Sequence, residues 1–222
     1  MSPVAVANVH KGENAVLKIL GRKNSSNVQK VLWCCGELGV AYTREDYGGP
    51  FGKTKEPAYL ALNPNSLVPT IDDDGFVLWE SNSILRYLAN KQGGSPLYPT
   101  DPKRRADVER WMDWQLSTMG PAITPMFLGL YRTPPEKRDL AGIEASRLRT
   151  AEAVQILDKQ LANKPYVTGD AFTYADLALG VFAGYRWFNF PIERPEFKNA
   201  KAWYDRLTQR PAFKEHVMIG IT

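Results

Sequence analysis

The chain has 222 residues and a net charge of +4, from 28 Lys and Arg against 24 Asp and Glu. Hydrophobic residues at 44% and charged residues at 23% exclude global disorder. Area scaling allows roughly 70% of the extended chain's surface to be buried, enough for a core without disulfides or metals.

The basic residues are dispersed. Their densest group, Lys103-Arg104-Arg105, is flanked by Asp101 and Asp107, which suits a solvated helix start and excludes a nucleic-acid stripe. No run of about 18 apolar residues exists, so no membrane-spanning helix is expected. The first residues lack a charged start leading into a long apolar core, and they lack Arg richness. A flexible tail over 1–14 and a cytoplasmic location are therefore expected. Cys34 and Cys35 are adjacent, and His10 and His216 lie near the chain ends, so no metal site is expected. HExxH, GxSxG and a Gly-rich phosphate loop are all missing.

In chain order, Val16 to Leu20 reads as a buried strand stopped by Gly21. Ser25 to Leu38 reads as a helix with Val28, Val31, Leu32 and Cys35 on one face, closed by Gly39. Ala41 to Asp46 reads as a second strand, and Glu56 to Leu62 as a short helix. Leu67 to Ile71 and Phe76 to Trp79, joined through Asp72-Asp73-Asp74-Gly75, read as a hairpin. Ser81 to Asn90 is a helix with Ile84, Leu85 and Leu88 in phase. The order β-α-β-α-β-β-α predicts a small mixed sheet covered by helices.

Three prolines between Ser95 and Pro102 mark a linker, and beyond it the pattern is helical throughout. Val108, Trp111, Met112, Gln115 and Met119 form one stripe of a helix that Pro121 ends or kinks. Residues 135–161 read as a helix with Leu148, Ala151, Val154 and Leu157 in phase. Thr173 and Asp176 are spaced as a capping box before the apolar run Leu177 to Phe182. The expected organisation is a tail over 1–14, an α/β domain over 15–92, a linker over 93–102 and an all-α domain over 103–222.

From about residue 16 onward the chain resembles the cytosolic glutathione transferase family, in particular bacterial members with a serine/asparagine site near the theta and nu classes. The resemblance rests on Gly21-Arg22-Lys23-Asn24-Ser25-Ser26-Asn27-Val28, on Leu62 to Thr70, on Leu78-Trp79-Glu80-Ser81-Asn82-Ser83-Ile84 and on Gly169 to Asp176, in that order and spacing. It implies a thioredoxin-like N-terminal domain followed by an all-helical domain, with glutathione as co-substrate.

A helix N-terminus offers unpaired N–H groups and partial positive charge, and a thiol held there loses its proton more easily. The resemblance makes Ser25 the hydroxyl donor to the sulfur, with Asn27 beside it and Ser26 as the competing donor. On the residues alone, Ser25 or Ser26 is equally well an N-cap. The resemblance also implies that a cis Val68-Pro69 bond turns the Val68 backbone toward the cysteinyl part of glutathione. Glu80 and Ser81, opening the third helix, suit the γ-glutamyl ammonium and carboxylate; a helix cap with a dipole-complementing acid is the plainer role. Ser66 is too short for the longer side chain that several classes place there. Trp111, Met112, Trp114 and Gln115 are expected on the second-substrate side of the cleft, although such aromatic stripes also build cores.

The function this implies is glutathione transfer, the thiolate attacking a hydrophobic electrophile between the domains. Two other functions fit the same residues: a glutathione-dependent disulfide oxidoreductase, and a non-catalytic binding module that kept the fold. A homodimer is expected, with no nucleic-acid or membrane partner.

Overall fold

The computed structural model describes residues 16–93 and 97–221. The expected tail over 1–14 and residues 94–96 of the expected linker lie outside the described residues.

Strands β1 (Leu17–Leu20), β2 (Tyr42–Glu45), β3 (Thr70–Asp73) and β4 (Phe76–Trp79) form one sheet in the order β2-β1-β3-β4. β1 and β2 are parallel, with Leu17 opposite Tyr42, and helix α1 (Ser26–Leu38) is the crossover such a pair requires. α1 buries Val28, Val31, Leu32 and Cys35 as the periodicity predicts. Gly39 ends it in the left-handed region at φ 65°, returning its N–H to the Cys35 and Gly36 carbonyls. After a turn of 3₁₀ helix and the short α2 (Pro57–Leu60), β3 runs antiparallel to both β1 and β4. Helix α3 (Ser81–Lys91) follows.

The hairpin differs in detail from the expected one. Its turn is the two residues Asp74 and Gly75, both at positive φ, so Asp72 and Asp73 belong to β3 and pair with Val77 and Phe76. A two-residue turn matches the sheet's twist when both central residues adopt positive φ. The Asp73 carboxylate is held in the strand by Tyr87 Oη at 2.5 Å and Lys91 Nζ at 2.5 Å. Leu67 and Val68 consequently lie in the preceding loop, where the Leu67 carbonyl accepts from Tyr59 Oη at 2.6 Å and Asn63 Nδ2 at 2.9 Å.

Helix α4 (Pro102–Trp114) opens on Asp101, whose carboxylate accepts from the Arg104 N–H at 2.9 Å. It widens into a π-helical turn (Gln115–Met119) and continues as α5 (Gly120–Tyr131). Pro121 was expected to end or kink this helix. The helix does not end there; the widened turn just before Pro121 accommodates the missing N–H. α6 (Leu140–Gln160) starts later than 135 because Asp139 caps it, accepting from the Gly142 N–H at 2.9 Å. Leu148 is half exposed while Ala151, Val154 and Leu157 are buried. Steps of three residues drift by about 60° each, so Leu148 lies opposite Leu157.

The capping box forms at α7 (Tyr174–Leu179), which passes through a second π-helical stretch (Gly180–Arg186) into α8 (Trp187–Asn189). Helices α9 (Lys198–Leu207) and α10 (Pro211–His216) complete the described chain. One continuous core joins sheet and helices: Trp33 of α1 packs on Phe172 and Phe213, and Glu37 accepts both Arg210 Nε and an Arg210 terminal nitrogen at 2.7 and 2.6 Å. No helix among the described residues is long and apolar enough to cross a membrane.

Candidate active site

The turn from β1 into α1 is held by Gly21 N–H to the Glu45 carbonyl at 2.8 Å, Arg22 N–H to the Tyr47 carbonyl at 3.1 Å and Ser25 N–H to the Arg22 carbonyl at 3.1 Å. Gly21 is required by close approach, since a Cβ there would sit 2.5 Å from Val28 Cγ2. Ser25 is the N-cap residue of α1, with an extended backbone, yet its hydroxyl makes no capping hydrogen bond. The N-terminal N–H groups of a 13-residue helix are thus left without a side-chain cap. Ser26 is buried, and its hydroxyl has no partner among the described residues.

Asn27 connects this turn to the next element. Its Oδ1 accepts from Ser81 Oγ at 3.3 Å, so the first turns of α1 and α3 meet. Ser81 is buried, and Glu80 caps α3 at φ 72°, in the left-handed region. Such a backbone is costly for a side-chain-bearing residue and concentrates at functional sites. Lys53 and Ser66 have it too, on loops of the same domain. Nothing in their residue types announces this, and the sequence reading missed it.

The Val68–Pro69 peptide bond is cis. The Val68 N–H and carbonyl make no hydrogen bond among the described residues, while the flanking Leu67 carbonyl and Thr70 hydroxyl are anchored by Tyr59 and Asn63. Val68 thus presents an open backbone pair on a fixed loop beside Gly21. Lys53 lies over the Tyr47 ring at 5.1 Å.

Beneath these residues lies a buried polar network that sequence reasoning also missed. Lys30 Nζ donates to Asn82 Oδ1 at 2.8 Å and to Gln115 Oε1 at 3.0 Å, and Asn82 Nδ2 donates to the Met112 carbonyl at 2.8 Å. α1, α3 and α4 are locked together here. Burial pushes the Lys30 ammonium down to about 7, against the pull of Glu80. A lysine inside the apolar pattern of α1 was the available signal.

Residues 24–91 match the family model of the glutathione S-transferase N-terminal domain, and residues 119–211 match that of its C-terminal domain. The chain belongs to the glutathione S-transferase family. It is 41% identical to the glutathione S-transferase GstB of Escherichia coli over 93% of this chain and 100% of that protein. The theta class glutathione S-transferase of Xanthomonas axonopodis pv. citri, solved with glutathione bound, superposes with a TM-score of 0.90 at 48% identity, covering 94% of this chain and 100% of that one. Poplar glutathione transferase F7 superposes at 0.83 with 27% identity, covering 93% of this chain and all of its own.

The four residues expected on the second-substrate side of this transferase divide between two environments. Trp111 and Trp114, three residues apart, share one face of α4 and line a cavity of about 600 Å³ with Arg110, Ile156, Lys159 and Gln160, entirely within the helical domain. Met112 and Gln115 are fully buried and seal the junction with α1 and α3. Around the helix the four side chains span about 160°, from Trp114 through Trp111 and Gln115 to Met112, so the two extremes face different neighbours. Facing the start of α1 instead are Tyr185 and Arg186 of the second π-helical stretch with Gly220 and Ile221, around a crevice of about 10 Å³ that Asn24 and Gln29 also line.

Proposed function

We propose that this transferase holds glutathione along the edge formed by Ser25, Asn27, Val68, Pro69, Glu80 and Ser81, with the sulfur at the N-terminus of α1. In this reading Ser25 Oγ donates to the thiolate. Asn27 braces the site through Ser81, Val68 pairs with the cysteinyl backbone, and Glu80 and Ser81 take the γ-glutamyl ammonium and carboxylate. The observation that carries it is the Ser25 hydroxyl, placed at a helix N-cap and free of capping. The helix end and one charge-assisted hydrogen bond favour the thiolate over the thiol. The thiolate attacks an electrophile at the domain junction, forming a C–S bond as the leaving group departs with its electron pair, and proximity supplies much of the rate. The glutathione-bound Xanthomonas relative supports this placement.

The reading includes a cytosolic homodimer built from a glutathione-binding unit over 15–92 and a helical unit over 103–222. Leu128, Leu140, Leu148 and Ile156, exposed along α5 and α6, are the apolar groups a partner subunit would cover. Sedimentation at micromolar concentration showing a 25.0 kDa species removes the dimer.

Titration of the thiolate's far-ultraviolet absorbance in the glutathione complex tests the donor. Ser25→Ala is expected to raise the bound thiol pKa by about one to two units, slowing transfer roughly 10- to 100-fold at neutral pH with affinity little changed. Glu80→Ala and Ser81→Ala are each expected to weaken glutathione binding by ~1.5–3 kcal/mol. A shift in Ser26→Ala and none in Ser25→Ala would move the donor by one residue.

A further inference from the structure

Lys30 is fully buried, and its ammonium makes no ion pair among the described residues. Its acceptors are two neutral amide oxygens, Asn82 Oδ1 at 2.8 Å and Gln115 Oε1 at 3.0 Å, and the Phe182 ring centroid lies 5.5 Å away. Burying a charge among neutral groups is costly, and a methionine of similar length would fill the same space without that cost. What the lysine adds over an apolar side chain is direction.

That direction is given to Asn82, the second residue of α3, which is 1% exposed. With Oδ1 taken by Lys30, its Nδ2 is committed to the Met112 carbonyl at 2.8 Å and to Gln115 Oε1 at 3.3 Å. Both ends of the amide are engaged, so the side chain does not turn without stranding a buried polar group. Asn27 and Lys30 are three residues apart on α1 and share a face. From that face they reach consecutive residues of α3: Asn27 accepts from Ser81 Oγ at 3.3 Å, and Lys30 holds Asn82. The residue just before this pair is Glu80, and its left-handed backbone at φ 72° persists only where the surroundings hold it. One polar face of α1 therefore supports the turn that carries Glu80 and Ser81.

We infer that Lys30 is a positioning residue for glutathione, acting through Asn82 to fix the first turn of α3 and so the direction in which Glu80 and Ser81 meet the γ-glutamyl group. The inference rests on the proposed placement of that group at Glu80 and Ser81. Lys30 itself touches no part of the peptide in this reading. The sulfur and the cysteinyl backbone are met by Ser25 and Val68, on other segments. Loss of Lys30 should therefore be felt at the γ-glutamyl end alone.

The test is calorimetry near pH 6, where Lys30 carries its charge. The ligands are S-hexylglutathione and N-acetyl-S-hexylcysteinylglycine, in which an acetyl group replaces the γ-glutamyl group. The native protein is expected to prefer the first. Lys30→Met is expected to weaken S-hexylglutathione about tenfold and the acetyl ligand less than about twofold, the effect of misaligning one charge-assisted hydrogen bond. In transfer assays the same variant is expected to raise KM for glutathione about tenfold with kcat nearly unchanged. Asn82→Ala is expected to match it, and the double variant to bind no more weakly than either alone, because both substitutions break one contact. Equal weakening of both ligands, additive losses in the double variant, or a native preference kept in Lys30→Met each overturns the inference. If Lys30→Met fails to fold, Asn82→Ala and Lys30→Gln, whose shorter side chain does not reach both acceptors, decide by the same ratio. Glu80→Ala separates the two readings. A preference lost there and kept in Lys30→Met overturns the role of Lys30 alone. A preference kept in Glu80→Ala, or missing from the native protein, overturns the γ-glutamyl placement and the inference with it.

Discussion

Truncating the Asp176 side chain tests the anchor that aims the helical domain at the sheet-bearing half. Its carboxylate accepts from the Val167 N–H at 2.9 Å, the Thr173 N–H at 2.8 Å, the Thr173 hydroxyl at 3.2 Å and Trp203 Nε1 at 2.9 Å. Val167, Thr173 and Trp203 are all buried, so Asp176→Ala strands three N–H donors where water does not reach them. Each stranded donor costs ~1–3 kcal/mol. Part of that is offset because burial already disfavours the carboxylate, pushing its pKa up to about 6. A net loss of about 4 kcal/mol follows, which for a chain of this size lowers the melting temperature by roughly 8–16 °C. Asp176→Asn retains one acceptor oxygen, enough for Val167 and Trp203, and is expected to lose about half as much. Urea and thermal unfolding of both variants, followed by circular dichroism, give the comparison. The helix that starts here continues to Phe182, whose ring lies 5.5 Å from Lys30 Nζ, and to Arg186. A loss below ~1 kcal/mol in Asp176→Ala would refute the reasoning, because three stranded donors cannot cost less than one.

Lys30 sets a pH dependence. Its folded pKa of about 7 lies below the ordinary 10.5, so between those values the unfolded chain binds the extra proton. Relative to Lys30→Gln, the stability of the native sequence is expected to rise with pH across this window by up to about 1.4 kcal/mol per unit and to be level below it; parallel urea midpoints from about pH 6 to pH 10 would contradict this. Burial raises the Cys34 thiol to about 12 and Cys35 higher still. Neither is expected to react with an aromatic disulfide reagent near pH 8 until the protein is unfolded, when two thiols should titrate. Gly180→Ala would place a methyl 2.8 Å from Trp33 Cζ3 and 2.9 Å from Leu207 Cδ1. A cost of ~1–3 kcal/mol is expected in thermal unfolding, and a stabilised variant would show that this contact can open.

The elements of this transferase were legible because their causes are local. Val28, Val31, Leu32 and Cys35 recur at the helical period, Gly39 supplies a left-handed stop, and Thr173 with Asp176 satisfies a helix start within four residues. The segments that carry Ser25, Val68 and Glu80 were legible for the same reason, since each is a short motif at an element boundary. Where periodicity was followed in steps of three, as at Leu148, it failed by accumulated drift around the helix. Residue types along the chain did not reveal which faces meet. That Met112 and Gln115 turn inward while Trp111 and Trp114 face α6 is decided by the packing of α4 against α1 and α3, through Lys30 and Asn82. The burial of Lys30 is likewise set only when α1, α3 and α4 close around it, because the cost of a charge depends on every neighbour in space and not on its neighbours along the chain.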